Sequence, residues 1–300
     1  MSSLPEQARQ EQREAAARRR RLRRWIAALG LLCVAAAIGG AVLSLTGGDT
    51  RPSASPETTT TTTKKPPATH RVVKPPPTHR PAEKLRRLRI APAVPGVATI
   101  VSKGPPRREI ALTFDDGFCR SCVGGILSVL AKTGAHATIC PNGRYGPAVW
   151  DHFRVQIRHL LRLGQLAICN HTFSHYDSRT LSDSELTAEL DRNETWIEQE
   201  FGVSARPYFR PPYGSYDSAT LAVAGQLGYT RVLLWSGTLA DSTPRDIPYL
   251  LYAIRYWAKP GAIILAHGNY PATPHGLMKI LRYLKQQHLR TVTIPELLAR

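Results

Sequence analysis

The sequence predicts an α/β fold built on a parallel sheet, and two observations support this class. From about residue 96, seven short runs of apolar or β-branched residues alternate with six amphipathic segments, and such alternation is typical of parallel α/β proteins. The residues from 96 to 300 are also numerous enough to close the sheet into a barrel. An open doubly wound sheet is the competing architecture.

The elements follow one another in a regular order along the chain. The predicted strands are residues 110–114, 137–140, 166–169, 208–210, 230–235, 262–266 and 291–294. The predicted helices lie between them, at residues 122–133, 147–163, 182–200, 216–227, 246–258 and 274–287. The third helix has the clearest signals: Ser182 and Glu185 form a capping box, and one stripe of the helix is apolar. Its members are Leu186, Leu190, Trp196 and Ile197.

An apolar segment near the N terminus predicts that the chain is exported. Residues 25–45 carry no charge, and a helix of that length spans ~31 Å, about the hydrocarbon thickness of a bilayer. Six arginines within residues 18–24 predict that residues 1–24 are a cytoplasmic tail. A cleaved signal peptide is the alternative. We therefore expect a single-pass cell-membrane protein with its folded domain outside, or a secreted protein if the segment is cleaved.

Residues 46–95 read as a disordered linker. They contain ten prolines and an unbroken threonine run at 58–63, a composition that favours extended polyproline II structure over a packed core. At ~3.1 Å per residue, such a linker reaches on the order of 150 Å. We expect residues 96–300 to form one folded domain, held at a distance from the membrane.

The positive charge of the chain does not indicate nucleic-acid binding. The formal net charge is +18, but residues 1–24 contribute eight basic and three acidic residues, and residues 46–95 contribute ten and three. The surplus of positive charge thus lies mostly outside the predicted domain. The sequence also contains no nucleic-acid-binding motif. We expect a monomer that has no nucleic-acid partner.

Ionisable side chains follow five of the predicted strands, where parallel α/β proteins form their active sites. Each has an ordinary explanation when taken alone. An Asp-Asp-Gly sequence is typical of a turn. His171 and His175 are four residues apart, which would place both imidazoles on one face of a helical turn, but this spacing arises easily by chance in a chain with ten histidines. The joint occurrence at one edge of the sheet predicts a functional site. These residues are Asp115, Asp116, His171, His175, Arg210, Asp241 and His267.

Two imidazoles and one carboxylate match the ligand set of a catalytic zinc site, which leaves a coordination position open for water. Asp115 and Asp116 are adjacent, so their side chains diverge on an extended backbone. One can therefore bind the metal while the other faces water, whose pKa a metal lowers toward ~7. His267, across the sheet edge, is the candidate for a second proton transfer.

These residues, in this order, resemble the motifs of the polysaccharide deacetylases, the carbohydrate esterases of the NodB-homology type, over residues 108–298. The resemblance implies a distorted (β/α)7 barrel and metal-dependent removal of acetyl groups from sugars. It implies that Asp115 is the general base. The implied ligands of a divalent ion, Zn²⁺ first and Co²⁺, Ni²⁺ or Mn²⁺ as alternatives, are Asp116, His171 and His175.

The resemblance also implies roles for five further residues. Arg210 would orient Asp115, and the backbone N–H of Tyr213 would stabilise the tetrahedral oxyanion. Leu265 would line the pocket for the acetyl methyl group, and His267, tuned by Asp241, would protonate the departing amine. The fourth motif departs from the family pattern, because Ser242 stands where the family commonly has Trp after this Asp.

Four of the five cysteines lie in the predicted domain, and an even number in an exported domain suits disulfides. A local disulfide between Cys119 and Cys122 would stiffen the loop that carries the Asp pair; a redox switch or an extra metal ligand are the alternatives. Cys140 and Cys169 stand at the ends of predicted neighbouring strands, so a second bridge is possible.

The leading functional hypothesis is a membrane-tethered N-deacetylase of cell-wall glycan, acting on the GlcNAc or MurNAc of peptidoglycan. Other acetylated polysaccharides give the enzymatic alternatives, a chitooligosaccharide deacetylase or an acetyl-xylan esterase. From a different class, a catalytically silent module that binds wall glycan is the further alternative.

Overall fold

The structure, a computed structural model, describes residues 86–299. The predicted cytoplasmic tail, the apolar segment 25–45 and the linker up to residue 85 lie outside the described residues. Among residues 86–299, no helix combines the length and the apolar character needed to cross a bilayer.

Nine strands form within the described range, and every predicted run overlaps one of them. The strands are β1 (Thr99–Val101), β2 (Glu109–Asp116), β3 (Ala137–Pro141), β4 (Leu166–Ile168), β5 (Tyr208–Phe209), β6 (Arg231–Leu233), β7 (Gly237–Thr238), β8 (Ile263–His267) and β9 (Arg290–Val292). The sequence analysis does not predict β1 and β7, whose three and two residues are held by pairing with β6 and β8.

Seven α-helices separate or follow these strands in residues 86–299. They are α1 (Arg120–Thr133), α2 (Arg154–Leu163), α3 (Asp183–Phe201), α4 (Ser218–Gln226), α5 (Ile247–Trp257), α6 (Ala272–Gln286) and α7 (Ile294–Leu298). The first six correspond to the six predicted helices. The predicted helix 147–163 is split, because Trp150–Phe153 forms a separate 3₁₀ turn before α2.

Helix α3 shows how local sequence sets an element. The Ser182 N–H donates to Glu185 Oε2 at 2.7 Å, and the Glu185 N–H donates to Ser182 Oγ at 3.3 Å, so the predicted capping box is present. Gly202 ends the helix in the left-handed region, with φ 73°. The apolar stripe buries Leu186, Leu190 and Ile197 against the core.

The paired strands are parallel, which confirms the α/β class. One sheet has the order β4-β3-β2-β8-β7, with β9 beside the first half of β2, and the other has the order β1-β6-β5. A parallel bridge between Asn170 and Phe209 links β4 to β5, and an antiparallel bridge joins Lys103 to Ala262. The central strand β2 is buried along most of its length.

The register of the sheet brings the predicted site residues to one level. Asp115 on β2 is the register partner of both Cys140 on β3 and His267 on β8. The strands run in the same direction, so their carboxyl ends open on the same edge of the sheet. The segments that follow β4, β5 and β7 therefore lie at the same edge as Asp115 and His267.

Residues 86–95, which the sequence analysis assigns to the linker, lie along the opposite, amino-terminal edge of the sheets. The Arg86 N–H donates to the carbonyl of Arg162, just before β4, at 2.7 Å. At the other end of this segment, the Gly96 N–H donates to the carbonyl of Gly225, before β6, at 3.0 Å. Leu88 packs against the core. The chain thus contacts the folded domain earlier than residue 96, because Leu88, which stands among three arginines, packs on the core.

Candidate active site

Three side chains at the carboxyl edge form a cluster that could hold a metal ion. One ligand atom each of Asp116, His171 and His175 lies within 4.8 Å of the others. The distance from Asp116 Oδ1 is 3.3 Å to His171 Nε2 and 3.1 Å to His175 Nε2. Among the described residues, this is the only cluster of its kind, and its three members are the three predicted metal ligands.

The donor atoms fit a divalent transition metal. Asp116 Oδ1 is buried and has no hydrogen-bond partner in the described part of the chain, and an orphaned buried carboxylate oxygen between two imidazoles suits a cation. His171 Nδ1 donates to the carbonyl of Arg210 at 2.7 Å. Because a carbonyl can only accept, this bond leaves the Nε2 lone pair of neutral His171 facing Asp116, as in histidines that bind metals.

The two histidines do not share a helical turn, so that expectation is wrong. The segment after β4 is irregular, and Thr172 and His175 have φ values of 61°. These left-handed residues reverse the chain and bring both imidazoles to the same point. Asn142, after β3, holds this loop, since its Nδ2 donates to the carbonyls of His171 and Thr172 at 2.6 and 2.9 Å. Strained backbone of this kind is common at functional sites.

Asp115 lies beside the cluster and is held by a buried arginine. Arg210 is fully buried, and its Nη1 donates to Asp115 Oδ1 at 2.7 Å and to Thr113 Oγ1 at 2.8 Å. The other oxygen, Asp115 Oδ2, lies 3.8 Å from His171 Nε2. The carboxylate is therefore fixed with one oxygen bound to Arg210 and the other toward the cluster.

His267 and Asp241 form a second buried pair across the cavity. His267 Nδ1 lies 2.9 Å from Asp241 Oδ1, and the His267 backbone N–H donates to Asp241 Oδ2 at 3.1 Å. Thr273 Oγ1 also donates to Asp241 Oδ2. This arrangement leaves Nε2 as the ring nitrogen of His267 with no bond to Asp241. The structure thus brings Asp241 to the histidine that the sequence analysis paired with it.

Burial and neighbouring charges shift the pKa values in opposite directions. Burial raises the pKa of Asp116, but His171 and His175 lower it by more, so the carboxylate stays ionised far below its usual range. Burial lowers the pKa of His267, but the bond to Asp241 and the charges of Asp241, Asp115 and Asp116 together outweigh burial, so the net shift is upward. The pKa of His171 is likewise raised, against burial, chiefly by Asp115 and Asp116.

One open cavity of about 570 Å³ connects these groups. Of the nine predicted catalytic, substrate-binding and metal-binding residues, seven line it: Asp115, Asp116, His171, His175, Tyr213, Leu265 and His267. The other two, Arg210 and Asp241, lie buried behind Asp115 and His267. Leu265 gives the cavity an apolar wall. Tyr213 has φ 60°, and its exposed ring packs edge to face on His175 at a centroid distance of 4.7 Å.

Asn269 is a site residue that the sequence analysis missed. Its Nδ2 donates to Asp116 Oδ2 at 2.8 Å, and its Oδ1 accepts from the Gly117 N–H at 3.0 Å. The indole N–H of Trp150 donates to the carbonyl of Asp116 at 3.1 Å. Gly117 has φ 84°, and a side chain there would overlap the Trp150 ring. These contacts orient Asp116, and none carries a signal in a single sequence, because uncharged Asn and Gly occur in many loops.

Both cysteine pairs of the domain are disulfides in the structure. Cys119 is bonded to Cys122, and Cys119 is also the N-cap residue of α1. Cys140, at the end of β3, is bonded to Cys169, directly after β4. The first bridge lies in the loop after Asp116, and the second joins two strands that lead into the site.

Comparisons with known proteins point to one family. The sequence model of the polysaccharide deacetylases matches residues 102–232. A peptidoglycan-N-acetylglucosamine deacetylase of Bacillus cereus is 33% identical over 202 residues, which are 63% of this chain and 87% of that protein. A chitooligosaccharide deacetylase of Azorhizobium caulinodans is 30% identical over 163 residues, 54% of this chain and 75% of the relative.

Solved structures of similar fold agree. A mutant of a CE4 family pseudoenzyme, described as having restored enzymatic activity, superposes with a TM-score of 0.60. It is 26% identical, and the match covers 67% of this chain and 71% of that one.

Proposed function

Because the chain belongs to the polysaccharide deacetylase family, we propose that it is a metal-dependent hydrolase that removes N-acetyl groups from cell-wall peptidoglycan. One observation carries the proposal: the Asp116, His171 and His175 cluster shares a cavity with the Arg210-bound carboxylate of Asp115 and with the imidazole of His267. A metal site, a base and an acid on one cavity are what amide hydrolysis requires.

Asp116, His171 and His175 would hold the metal through Oδ1 and the two Nε2 atoms. Two imidazoles and a carboxylate favour zinc, and Co²⁺, Ni²⁺ and Mn²⁺ accept the same donors. When bound, such a metal polarises a carbonyl and makes water more acidic.

The protein's own groups perform the proton transfers. Asp115, oriented by Arg210, takes a proton from the water that attacks the acetamide carbonyl carbon. The Tyr213 N–H donates to the oxyanion that develops, and Leu265 packs on the acetyl methyl group. His267, held by Asp241, then gives a proton to the amine nitrogen as the C–N bond breaks. Acetate and a free amino sugar are the products.

The proposal also covers the fold, the N-terminal segments and the location of the protein. The two parallel sheets are the parts of a distorted (β/α)7 barrel, with the cavity at its mouth. Residues 1–24, 25–45 and 46–85 are a cytoplasmic tail, a membrane anchor or signal peptide, and a linker. The domain then works outside the cell membrane as a monomer, with acetylated polysaccharide as its substrate. Such a tether favours insoluble wall glycan over a diffusible oligosaccharide.

Acetate release tests the proposal. Purified protein is incubated with peptidoglycan, N-acetylglucosamine oligomers and acetylated xylan, before chelation, after chelation and after Zn²⁺ is restored. We expect acetate and free amines from peptidoglycan, loss of both on chelation, and recovery with the metal. Asp115→Asn is the matched variant, since it removes the base and keeps the three ligands.

The other outcomes contradict the proposal in distinct ways. Acetate from xylan alone indicates an esterase, and acetate from short N-acetylglucosamine oligomers alone indicates a chitooligosaccharide deacetylase. Glycan binding with no acetate from any substrate in the zinc-loaded protein indicates a silent binding module.

A further inference from the structure

Helix α5 exposes a group of aromatic side chains beside the site. Tyr249, Tyr252, Tyr256 and Trp257, which we call the α5 aromatic face, are 39%, 66%, 61% and 38% exposed. Tyr249 and Tyr252 pack together with ring centroids 6.5 Å apart, and Tyr256 and Trp257 with centroids 4.8 Å apart. The rings therefore form two adjoining pairs along one helix.

The helix separates its aliphatic from its aromatic residues. Leu250, Ala253 and Ile254 are buried in the core, whereas the rings face outward. Trp257 also packs against Gly237 of β7, and Arg245 lies over the Tyr249 ring. Packing of α5 on the sheet does not explain the rings of Tyr252 and Tyr256, which are the most exposed. Exposed aromatic surface beside a cavity commonly marks a binding site.

The α5 aromatic face continues the cavity of the candidate active site. A groove of about 200 Å³ is lined by its four rings together with Thr238, Ala240 and Ala253. Thr238 and Ala240 also line the 570 Å³ cavity, next to Ser242. The rim between cavity and groove is thus built from small side chains, and a long ligand can cross it.

Exposed aromatic residues occur in only two places within residues 86–299. Phe118, Tyr176 and Tyr213 lie at or next to the cavity, and the other four form the α5 aromatic face. This restriction to adjoining surfaces favours a shared ligand over scattered surface residues.

We propose that the α5 aromatic face binds sugar rings of the same glycan strand whose acetylated residue occupies the cavity. This inference rests on the proposed function. The C–H groups on a pyranose face carry slight positive charge and pack on the negative face of an aromatic ring, while Tyr hydroxyls bond sugar hydroxyls. The groove adjoins the cavity at Thr238 and Ala240, so the ligand that occupies the cavity is the partner that reaches these rings. The partner is therefore a strand longer than the cavity itself holds.

Binding of glycans of two lengths tests the face independently of turnover. Full-length, chelated protein is titrated with N-acetylglucosamine dimer and hexamer and followed by NMR, so that no substrate is consumed. We expect the hexamer to bind at least tenfold more tightly than the dimer. In Tyr252→Ala/Tyr256→Ala, hexamer binding weakens about tenfold and dimer binding changes less than twofold.

Two control variants make the result specific. Tyr252→Phe/Tyr256→Phe keeps the rings, and we expect it to bind the hexamer within about twofold of the unchanged protein. Val155→Ala removes a side chain that is 81% exposed on α2, away from the cavity, and serves as a surface control. Thermal unfolding of each variant shows that it is folded.

Equal affinity for dimer and hexamer, or an alanine variant that binds the hexamer normally, overturns the inference. An alanine variant that instead loses self-association or vesicle binding, with normal hexamer affinity, also overturns it and indicates a protein or lipid surface. Deacetylation of the dimer by the metal-loaded protein is measured separately. The proposed function can therefore fail while length-dependent binding remains. Equally, the dimer can be deacetylated while the hexamer binds no more tightly than the dimer.

Discussion

His171 has the most constrained environment of the three candidate ligands. Its Nδ1 is bound to the Arg210 carbonyl, its Nε2 faces Asp116, and its side chain is buried. We expect His171→Ala to lose stoichiometric metal and to lower turnover by roughly 1,000-fold or more. Elemental analysis of purified protein and acetate release measure the two effects.

The matched control for this variant is His159→Ala, because His159 is an exposed histidine on α2 outside the cavity. It should keep both metal and turnover. A His171→Ala protein with full metal content and full activity would contradict the assigned ligand set.

Asp241 should set the pH range in which His267 acts. The pKa of His267 is raised by Asp241, so the imidazole keeps its proton at a higher pH than an ordinary histidine and loses it as the pH rises through that raised value. In Asp241→Asn the pKa of His267 falls. We therefore expect the alkaline limb of the pH–rate profile to move to lower pH and kcat to drop about 100-fold.

The measurement is kcat as a function of pH for both proteins. Thr273→Val is a useful comparison, since it removes one bond to Asp241 and keeps the carboxylate. An alkaline limb that stays in place in Asp241→Asn would show that another group donates the proton.

The sequence predicts the charged residues of the site better than the residues that hold them. Asp115, Arg210 and His267 stand directly at strand ends, so topology alone brings them together. Asn269 and Asn142 give no such signal, since a single uncharged side chain does not reveal its distant partner. The left-handed backbone at His175 is equally invisible, and it explains why the expected helical turn is absent.

At the scale of elements, the two disulfides should differ in their effect on stability. The Cys140–Cys169 bridge spans 29 residues, and Cys119–Cys122 spans three. Closing the longer loop restricts the unfolded chain more, by about 3–4 kcal/mol compared with about 2 kcal/mol. We expect Cys140→Ala/Cys169→Ala to lower the free energy of unfolding more than Cys119→Ala/Cys122→Ala.

Denaturant unfolding without reductant measures both variants, and each serves as the control for the other. Since Cys140 and Cys169 are also fully buried, their loss removes packing as well. A larger effect from the Cys119 and Cys122 pair would contradict the loop-length argument.

The strands and helices of the domain were largely predictable, because period and capping are local properties. The capping box of α3 and the seven apolar runs needed no tertiary information. The missing strands β1 and β7 have three and two residues and exist through pairing with β6 and β8. Helix α7 was not predicted either. It has only five residues, although a capping box of Thr293 and Glu296 marks its start.

At the scale of the whole molecule, residues 86–300 should fold and act alone. The core and the cavity both lie within residues 86–299, and a domain with its own core commonly folds independently. We expect this fragment to hydrolyse a soluble N-acetylglucosamine oligomer with a kcat/KM within about twofold of the full chain.

A fragment that begins at residue 99 is the matched comparison, because it also lacks Leu88 and the bond from Arg86 to Arg162. It should unfold at a lower temperature than the fragment from residue 86. Equal melting temperatures would show that residues 86–98 add nothing to the fold.

The entry of the chain at the amino-terminal edge has a consequence for access. Residues 86–95 lie at the edge opposite the cavity, and none of them is among the residues that line it. A long polysaccharide strand can therefore cross the mouth of the cavity without meeting this segment.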